Sequence, residues 1–355
     1  MAKLFESLKI RGLSLRNRVG VSPMCQYSAV DGLPQAWHLP HLGSRAVGGA
    51  GLVIAEATGV LPEGRITPGC TGLWSDAHAQ AWAPIAAFIK SQGAVAGIQL
   101  AHAGRKASAA LPQNGGASLD NSQGGWDTVA PSPLAFGGGL SRVPQALDAT
   151  GLQRVIEGFS AAAGRAVAAG FEWIEIHAAH GYLLHQFLSP LSNHRSDELG
   201  QGLQGRMRFP LAVAAAVREA VPAHLPVAVR LSATDWTEGG WDLEQSIEFA
   251  MRLKALGIDL IDVSTGGNVH DAKIPVGPGY QVPFSEAIRR EAAIPTAAVG
   301  MITEPAQAET ILQSGQADQV LLARAFLRDP YWAHHAAQAL GVPEACKLPV
   351  QYARA

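Results

Sequence analysis

Eight short apolar runs, each bounded by Gly, Pro or polar positions, punctuate the chain. They are Val19–Val21, Leu52–Ala55, Val95–Leu100, Trp173–Ile176, Val227–Leu231, Leu260–Val263, Thr296–Val299 and Gln319–Leu322. Their near-continuous apolarity predicts strands buried on both faces, hence a parallel sheet. Between most of them lie Ala-rich segments with helical spacing: Ala79–Gln92, Leu152–Ala169, Arg208–Val221, Leu243–Leu256 and Pro305–Ser314. Asp242 and Thr303 stand where N-caps belong, the second with Pro305 in the first turn. Gly93, Gly170, Gly257 and Gly315 each close a helical segment, as a left-handed C-cap does. This alternation predicts an α/β fold, a (β/α)8 TIM barrel forming one domain over 1–355. A doubly wound open sheet is the alternative, but no G-x-G-x-x-G follows any strand. Between strands three and four lie roughly 75 residues, where about 30–45 suffice. Residues 107–150 carry that excess, as a tolerated surface insertion or as a lid over the active face.

Composition narrows the class. Charged residues are 16% of the 355, below the usual level of about 25%. With 39 Gly, this suggests tight turns and surface hidden in an oligomer. A net charge of −2 without a basic run argues against nucleic-acid binding. No apolar stretch approaches a membrane span. The first residues, Met1-Ala2-Lys3-Leu4-Phe5-Glu6, do not read as a signal peptide, which predicts a cytoplasmic protein. Cys25, Cys70 and Cys346 are too few and scattered for a disulfide framework or a zinc knuckle.

Barrel enzymes place their chemistry at the C-terminal ends of the strands. Those ends read Ser22–Tyr27, Glu56-Ala57-Thr58, Gln99 with His102, His177–Tyr182, Arg230, Ser264–Gly267, Gly300 and Ala323-Arg324. A Schiff-base aldolase needs a lysine inside the barrel, and none of the seven lysines falls within a predicted strand. A metal-dependent barrel hydrolase is the alternative reading, with His102, His177 and His180 as nitrogen ligands. It lacks His-x-His after the first strand and has Arg324 where the eighth strand would supply Asp; the reading adopted places no metal. A cofactor phosphate fits better: Gly300 permits close backbone approach, Arg324 offers a bidentate partner, and Gly266-Gly267 extends the cradle. Gln99 presents both a donor and an acceptor to a pyrimidine-like ring edge, and Arg230 a fixed positive charge for a reduced ring.

These residues resemble the old yellow enzyme family of FMN-dependent ene-reductases, in its thermophilic-like (YqjM-type) branch. The resemblance runs nearly end to end. It rests most heavily on Gln99–Lys106, Ile174–Tyr182 and Phe187–Arg195, with Leu4–Arg18, Ser22–Cys25, Gly64–Thr67, Arg230–Ala233, Gly279–Val282, Val299–Ile302 and Leu327–Pro330. It implies tightly bound, non-covalent FMN held by Ser22, Pro23, Met24, Cys25, Ala57, Gln99, Arg230, Gly300, Ala323 and Arg324, with NADPH or NADH as reductant. His177 and His180 would donate to the carbonyl or nitro oxygen of an activated alkene, Tyr182 would give the proton, and Tyr27 would contact substrate. Cys25 would tune the flavin rather than act as a covalent nucleophile. The resemblance also implies a homodimer or homotetramer, with the 340–355 tail at a subunit interface and Arg354 entering a neighbouring site. The chain departs from the family in two places. Ala323 stands where relatives often have Gly, and Ala109–Val129 is longer than in compact members.

Overall fold

The computed structural model describes residues 2–352 and Arg354. Eight parallel strands close a barrel. They are β1 (Val19–Val21), β2 (Leu52–Gly59), β3 (Val95–Ala101), β4 (Trp173–Ala178), β5 (Val227–Ser232), β6 (Leu260–Ser264), β7 (Thr296–Ala298) and β8 (Gln319–Leu322). Closure comes from β8 on β1, with Leu322 opposite Val21. All eight predicted strands are present. Strands β2 to β6 run past their apolar runs, because the polar residues that end those runs still pair; His177, for example, lies opposite Arg230. By contrast, β7 stops one residue before Val299.

The helices are α1 (His38–Val47), α2 (Asp76–Ser91), α3 (Ala149–Ala168), α4 (Leu183–Leu188), α5 (Gly202–Ala220), α6 (Leu243–Ala255), α7 (Val282–Glu291), α8 (Pro305–Gln313), α9 (Arg324–Arg328) and α10 (Trp332–Ala339). Apolar spacing identified α2, α3, α5, α6 and α8. It missed α1, whose ten residues include Pro40 and Gly43, both poor helix formers, and the short or polar α4, α7, α9 and α10. Asp242 caps α6 as predicted, accepting from Gln245 N–H at 3.0 Å. Thr303 does not cap α8: Glu304 holds that position, and Thr303 N–H donates to Gln307 Oε1 at 3.1 Å. The four closing glycines all take positive φ.

The main core fills the space between barrel and helices. Within each strand the alternate set points inward, and Leu52, Ile54, Val95, Trp173, Leu260 and Leu321 close the barrel floor. An N-terminal hairpin, Leu8–Ile10 with Leu13–Leu15, seals that floor with Leu8, Ile10 and Leu15. Each such side chain contributes about 1.5–3 kcal/mol on burial. The floor is therefore largely apolar, and the charged chemistry lies above it, toward the opposite mouth. The 107–150 excursion lies at that mouth. Its two short parallel strands pair Val129–Ala130 with Gln145–Ala146. Trp126 anchors it, donating Nε1–H to Glu63 O at 2.9 Å while the Arg65 guanidinium lies between the Trp74 and Trp126 rings.

Candidate active site

Strand period puts Glu175 and His177 on one face of β4, and the chain then turns through His180 into Tyr182. His180 has φ 57, a left-handed conformation that costs a non-glycine residue on the order of 1–3 kcal/mol. Its surroundings hold it there. His180 N–H donates to Ser232 Oγ at 2.9 Å, and Lys106 Nζ donates to His180 O at 2.8 Å and Gly267 O at 2.9 Å. The β4 and β6 loops touch backbone to backbone: a Cβ on Gly267 would lie 2.6 Å from His180 Cα, and one on Gly181 2.2 Å from Gly267 O. Only glycine permits that approach. Behind the turn, Gly181 N–H donates to His185 Nδ1 at 2.9 Å, and His185 Nε2 meets the fully buried Asp235 Oδ1 at 2.9 Å.

His177 Nδ1 accepts from Ala179 N–H at 3.2 Å, so its proton resides on Nε2, which faces His180 Nδ1 at 3.4 Å. His180 Nε2 lies 2.7 Å from Ser264 Oγ, which donates on to Gln281 Oε1 at 3.3 Å. The Tyr182 ring stands edge-on to His177, with centroids 4.8 Å apart. Burial, reinforced by the Arg230 charge, drives both imidazoles well below their ordinary range. Burial pushes the Tyr182 phenol well above 10. Two neutral rings and a protonated phenol thus converge at one strand end, suited to stabilising an oxyanion and delivering a proton. The pair is not idle in this conformation, since His180 already engages Ser264.

The segment after β1 runs alongside. Ser22 is buried, its N–H donating to Leu322 O at 2.9 Å. A register shift in β2 between Ala55 and Ala57 bulges Glu56 out of the ladder. Glu56 Oε2 accepts from Gln26 N–H at 3.2 Å and Oε1 meets His38 Nε2 at 3.1 Å, which fixes the Met24–Tyr27 turn. Burial raises the Tyr27 phenol above 10. The Cys25 thiol is raised well above its usual range, first by its hydrogen bond to Cys70 and then by burial. It is a neutral thiol, not an activated nucleophile.

Gln99 and Arg230 lie beneath, both buried, with Ala57 opposite Gln99 in the register. Gln99 Nε2 donates to Glu175 Oε1 at 2.8 Å, and Arg230 Nε stands 3.0 Å from Asp262 Oδ2 at an angle unsuited to a hydrogen bond. Between the ends of β7 and β8 opens a cavity of about 300 Å³ lined by Gly300, Met301, Ala323, Arg324 and Arg328. Ala323 has φ −110, so its Cβ brings no left-handed strain. These residues fit FMN on two counts. The cavity offers two guanidiniums to a phosphate, and the buried Arg230 Nε has no hydrogen-bond partner within the protein.

The structure thus gathers Tyr182, His177, His180, Cys25 and Tyr27 at the mouth, Gln99 and Arg230 below, and Gly300, Ala323 and Arg324 at the cavity. Arg354 is exposed, and the preceding Tyr352 lies against Tyr331. Sequence reasoning placed Ser264 at a strand end without giving it a role, and missed Lys106 and Arg328 as site residues. Lys106 reaches in from a turn after β3, where a search for lysines within strands cannot find it; its ammonium lies 5.1 Å from the Tyr182 centroid and 4.5 Å from that of Phe136 in the excursion. Burial lowers its amine to about 8.

Similarity to known proteins places the chain in a family. A family model described as the NADH:flavin oxidoreductase / NADH oxidase family matches residues 3–342. The chain is 46% identical over 354 residues to the NADPH dehydrogenase of Bacillus subtilis (strain 168), covering 99% of this chain and 98% of that one. Among solved structures, morphinone reductase superposes with a TM-score of 0.80 at 28% identity, covering 95% of this chain and 89% of the other. The old yellow enzyme homologue from Zymomonas mobilis superposes with a TM-score of 0.76 at 28% identity, covering 92% and 90%. The hydrolase alternative finds no support in any of them. Among the described residues no three His, Cys, Asp or Glu converge as metal ligands, and His102 turns aside, its Nδ1 accepting from Gly104 N–H at 3.1 Å. The chain belongs to the NADH:flavin oxidoreductase / NADH oxidase family, as an old-yellow-enzyme-type oxidoreductase that uses FMN with a nicotinamide nucleotide as reductant.

Proposed function

We propose that the chain is an ene-reductase for activated alkenes: α,β-unsaturated aldehydes, ketones and imides, and nitro compounds. One observation carries this reading: the convergence of neutral His177 and His180 with protonated Tyr182 above the Gln99–Arg230 pair. FMN, when bound, supplies the hydride chemistry, drawing on NADPH or NADH and delivering to the alkene β-carbon. The substrate oxygen binds where His177 Nε2 and His180 Nδ1 face one another. With the Ser264 hydroxyl turned to donate to His180 Nε2, the His180 tautomer protonated at Nδ1 is favoured, and the pair presents two N–H groups to that oxygen. Tyr182 then gives its phenolic proton to the α-carbon, and Tyr27 flanks the substrate. The neutral Cys25 thiol tunes the ring beside it.

The same reading assigns Arg354 to a neighbouring subunit's site in a homodimer or homotetramer, with the 340–355 tail at the interface. The free thiols Cys25, Cys70 and Cys346 suit a cytoplasmic setting, and no helix among the described residues is long and apolar enough to cross a membrane. The test is the visible spectrum of the purified protein under anaerobic conditions. NADPH should bleach a yellow preparation and an enone should restore the colour. A colourless protein that takes up no FMN, or one bleached by NADPH and indifferent to every enone, would contradict the reading.

A further inference from the structure

Below the donor pair the barrel interior holds charge that the reaction leaves unused. Glu175 on β4 and Asp262 on β6 are both completely buried, and Arg230 on β5 nearly so. The register interleaves them: Glu175 opposite Gln99, Asp262 opposite Arg230, and His177 opposite Arg230 one pleat higher. Two ionised carboxylates against one guanidinium would leave a net negative charge with no access to water, which is strongly unfavourable. The two carboxyls are not equivalent. The Asp262 carboxyl makes no hydrogen bond, but its Oδ2 lies 3.0 Å from the positively charged Arg230 Nε. Glu175 has a single hydrogen bond, from the neutral Gln99 amide at 2.8 Å, and its Oε2 has no partner in the protein.

We infer that Glu175 is a neutral carboxylic acid at physiological pH, a charge-setting residue that leaves the layer it shares with Gln99, Arg230 and Asp262 without net charge. The groups that face it are Gln99 from β3, Arg230 from β5, Asp262 from β6 and the neutral His177 above it. Burial and then the Asp262 charge push its carboxyl up to about 8, against the opposing pull of Arg230 and Gln99. Asp262, beside the guanidinium, rises only to about 6. Gln99 Nε2 is committed to Glu175 Oε1, which leaves Gln99 Oε1 free to accept. When Glu175 ionises at alkaline pH, negative charge enters the layer and disfavours adding electrons to a ring held by Gln99 and Arg230.

The effect on FMN rests on the proposed function; the protonation of Glu175 does not. Infrared difference spectra between the wild-type holoenzyme and Glu175→Gln read it directly. The expected result is a carboxylic-acid carbonyl band at neutral pH that shifts in D2O, is missing from the variant, and fades as pH rises through about 8. Because Gln mimics the neutral acid, the FMN midpoint potential of the variant should match wild type at neutral pH, and wild type should fall below it in alkali. No acid band at neutral pH, or a variant potential raised there as removal of a negative charge would raise it, overturns the inference. Asp262→Asn gives a second reading if Glu175→Gln does not fold: with Arg230 left to pair with Glu175, the band should remain at acid pH but fade at a lower pH than in wild type, and a band lost at every pH would assign it to Asp262 and overturn the inference. A protein that shows the band but takes up no FMN refutes the flavin reading while leaving Glu175 as assigned.

Discussion

The role proposed for Tyr182 rests on burial. A phenol pushed well above 10 holds its proton throughout the neutral range, so the acid form is always present. Tyr182→Phe should slow alkene reduction by about 10²-fold or more, the usual span for a general acid, while flavin reduction by NADPH stays near wild type. Stopped-flow measurement of the two half-reactions separates them, and equal losses would reassign Tyr182 to a structural part. By the same logic, Tyr182 itself should impose no pH dependence on alkene reduction up to about pH 9, because the unperturbed phenol already titrates near 10 and this one lies higher; a change near pH 8 that Tyr182→Phe retains belongs to Glu175 or Lys106. Gly267 makes a different kind of contribution. A methyl group there meets the His180 backbone at 2.6 Å, so Gly267→Ala should displace the donor pair. KM for the alkene should rise at least about tenfold, a loss of about 1.4 kcal/mol or more, while FMN content is unchanged.

Among the elements, the short connections after the strands carry the site and the long helices carry stability. Helix α6 lies on the outside of the barrel, and its Asp242 cap satisfies one otherwise unpaired N–H. Asp242→Ala should cost about 1 kcal/mol, visible as a lowered Tm with kcat unchanged. The excursion behaves as a packed element. Trp126 and Arg65 tie it to the loop after β2, and Phe136 rests on the Lys106 ammonium that also faces Tyr182. The bulge at Glu56 shows how one residue outside the ladder can fix a whole turn, here the one that bears Cys25 and Tyr27.

For the molecule as a whole, acid stability should follow the buried His185–Asp235 contact. His185, the Ser189 hydroxyl and the Trp241 N–H together outweigh the burial of Asp235 and hold its carboxyl below the ordinary range. An acid whose folded pKa is depressed contributes stability that is complete above its unfolded value, about 3.9, and is lost as pH falls through the folded value. Unfolding free energy should therefore decline below about pH 4 in wild type. Asp235→Asn should be less stable at neutral pH by about 3–5 kcal/mol, the penalty for orphaning a buried partner, with a flatter acid limb in denaturant titrations. Quaternary structure is tested by light scattering together with Arg354→Ala. A dimer or tetramer in which the variant raises KM for the alkene, with FMN content and assembly intact, supports a shared site. A monomer with unaltered kinetics removes it.

Apolar runs and helical spacing sufficed for the barrel, since a strand buried on both faces has to be continuously apolar and its partners repeat that demand eight times. The motif around His177, His180 and Tyr182 was legible too, because its chemistry lies in neighbouring residues on one strand end. What could not be read were contacts made across the mouth. Lys106 meets His180 and Gly267 from 74 and 161 residues away in sequence, and Ser264 meets His180 across 84. Nor does sequence reveal that Glu175 shares a dry layer with one guanidinium and a second carboxyl; local spacing marks it only as a polar residue within an apolar run. The sequence by itself determined which residues face the interior, through the period of strand and helix. Tertiary closure alone decided which of those interior groups became neighbours, and in a medium without water it is the neighbours that set each proton.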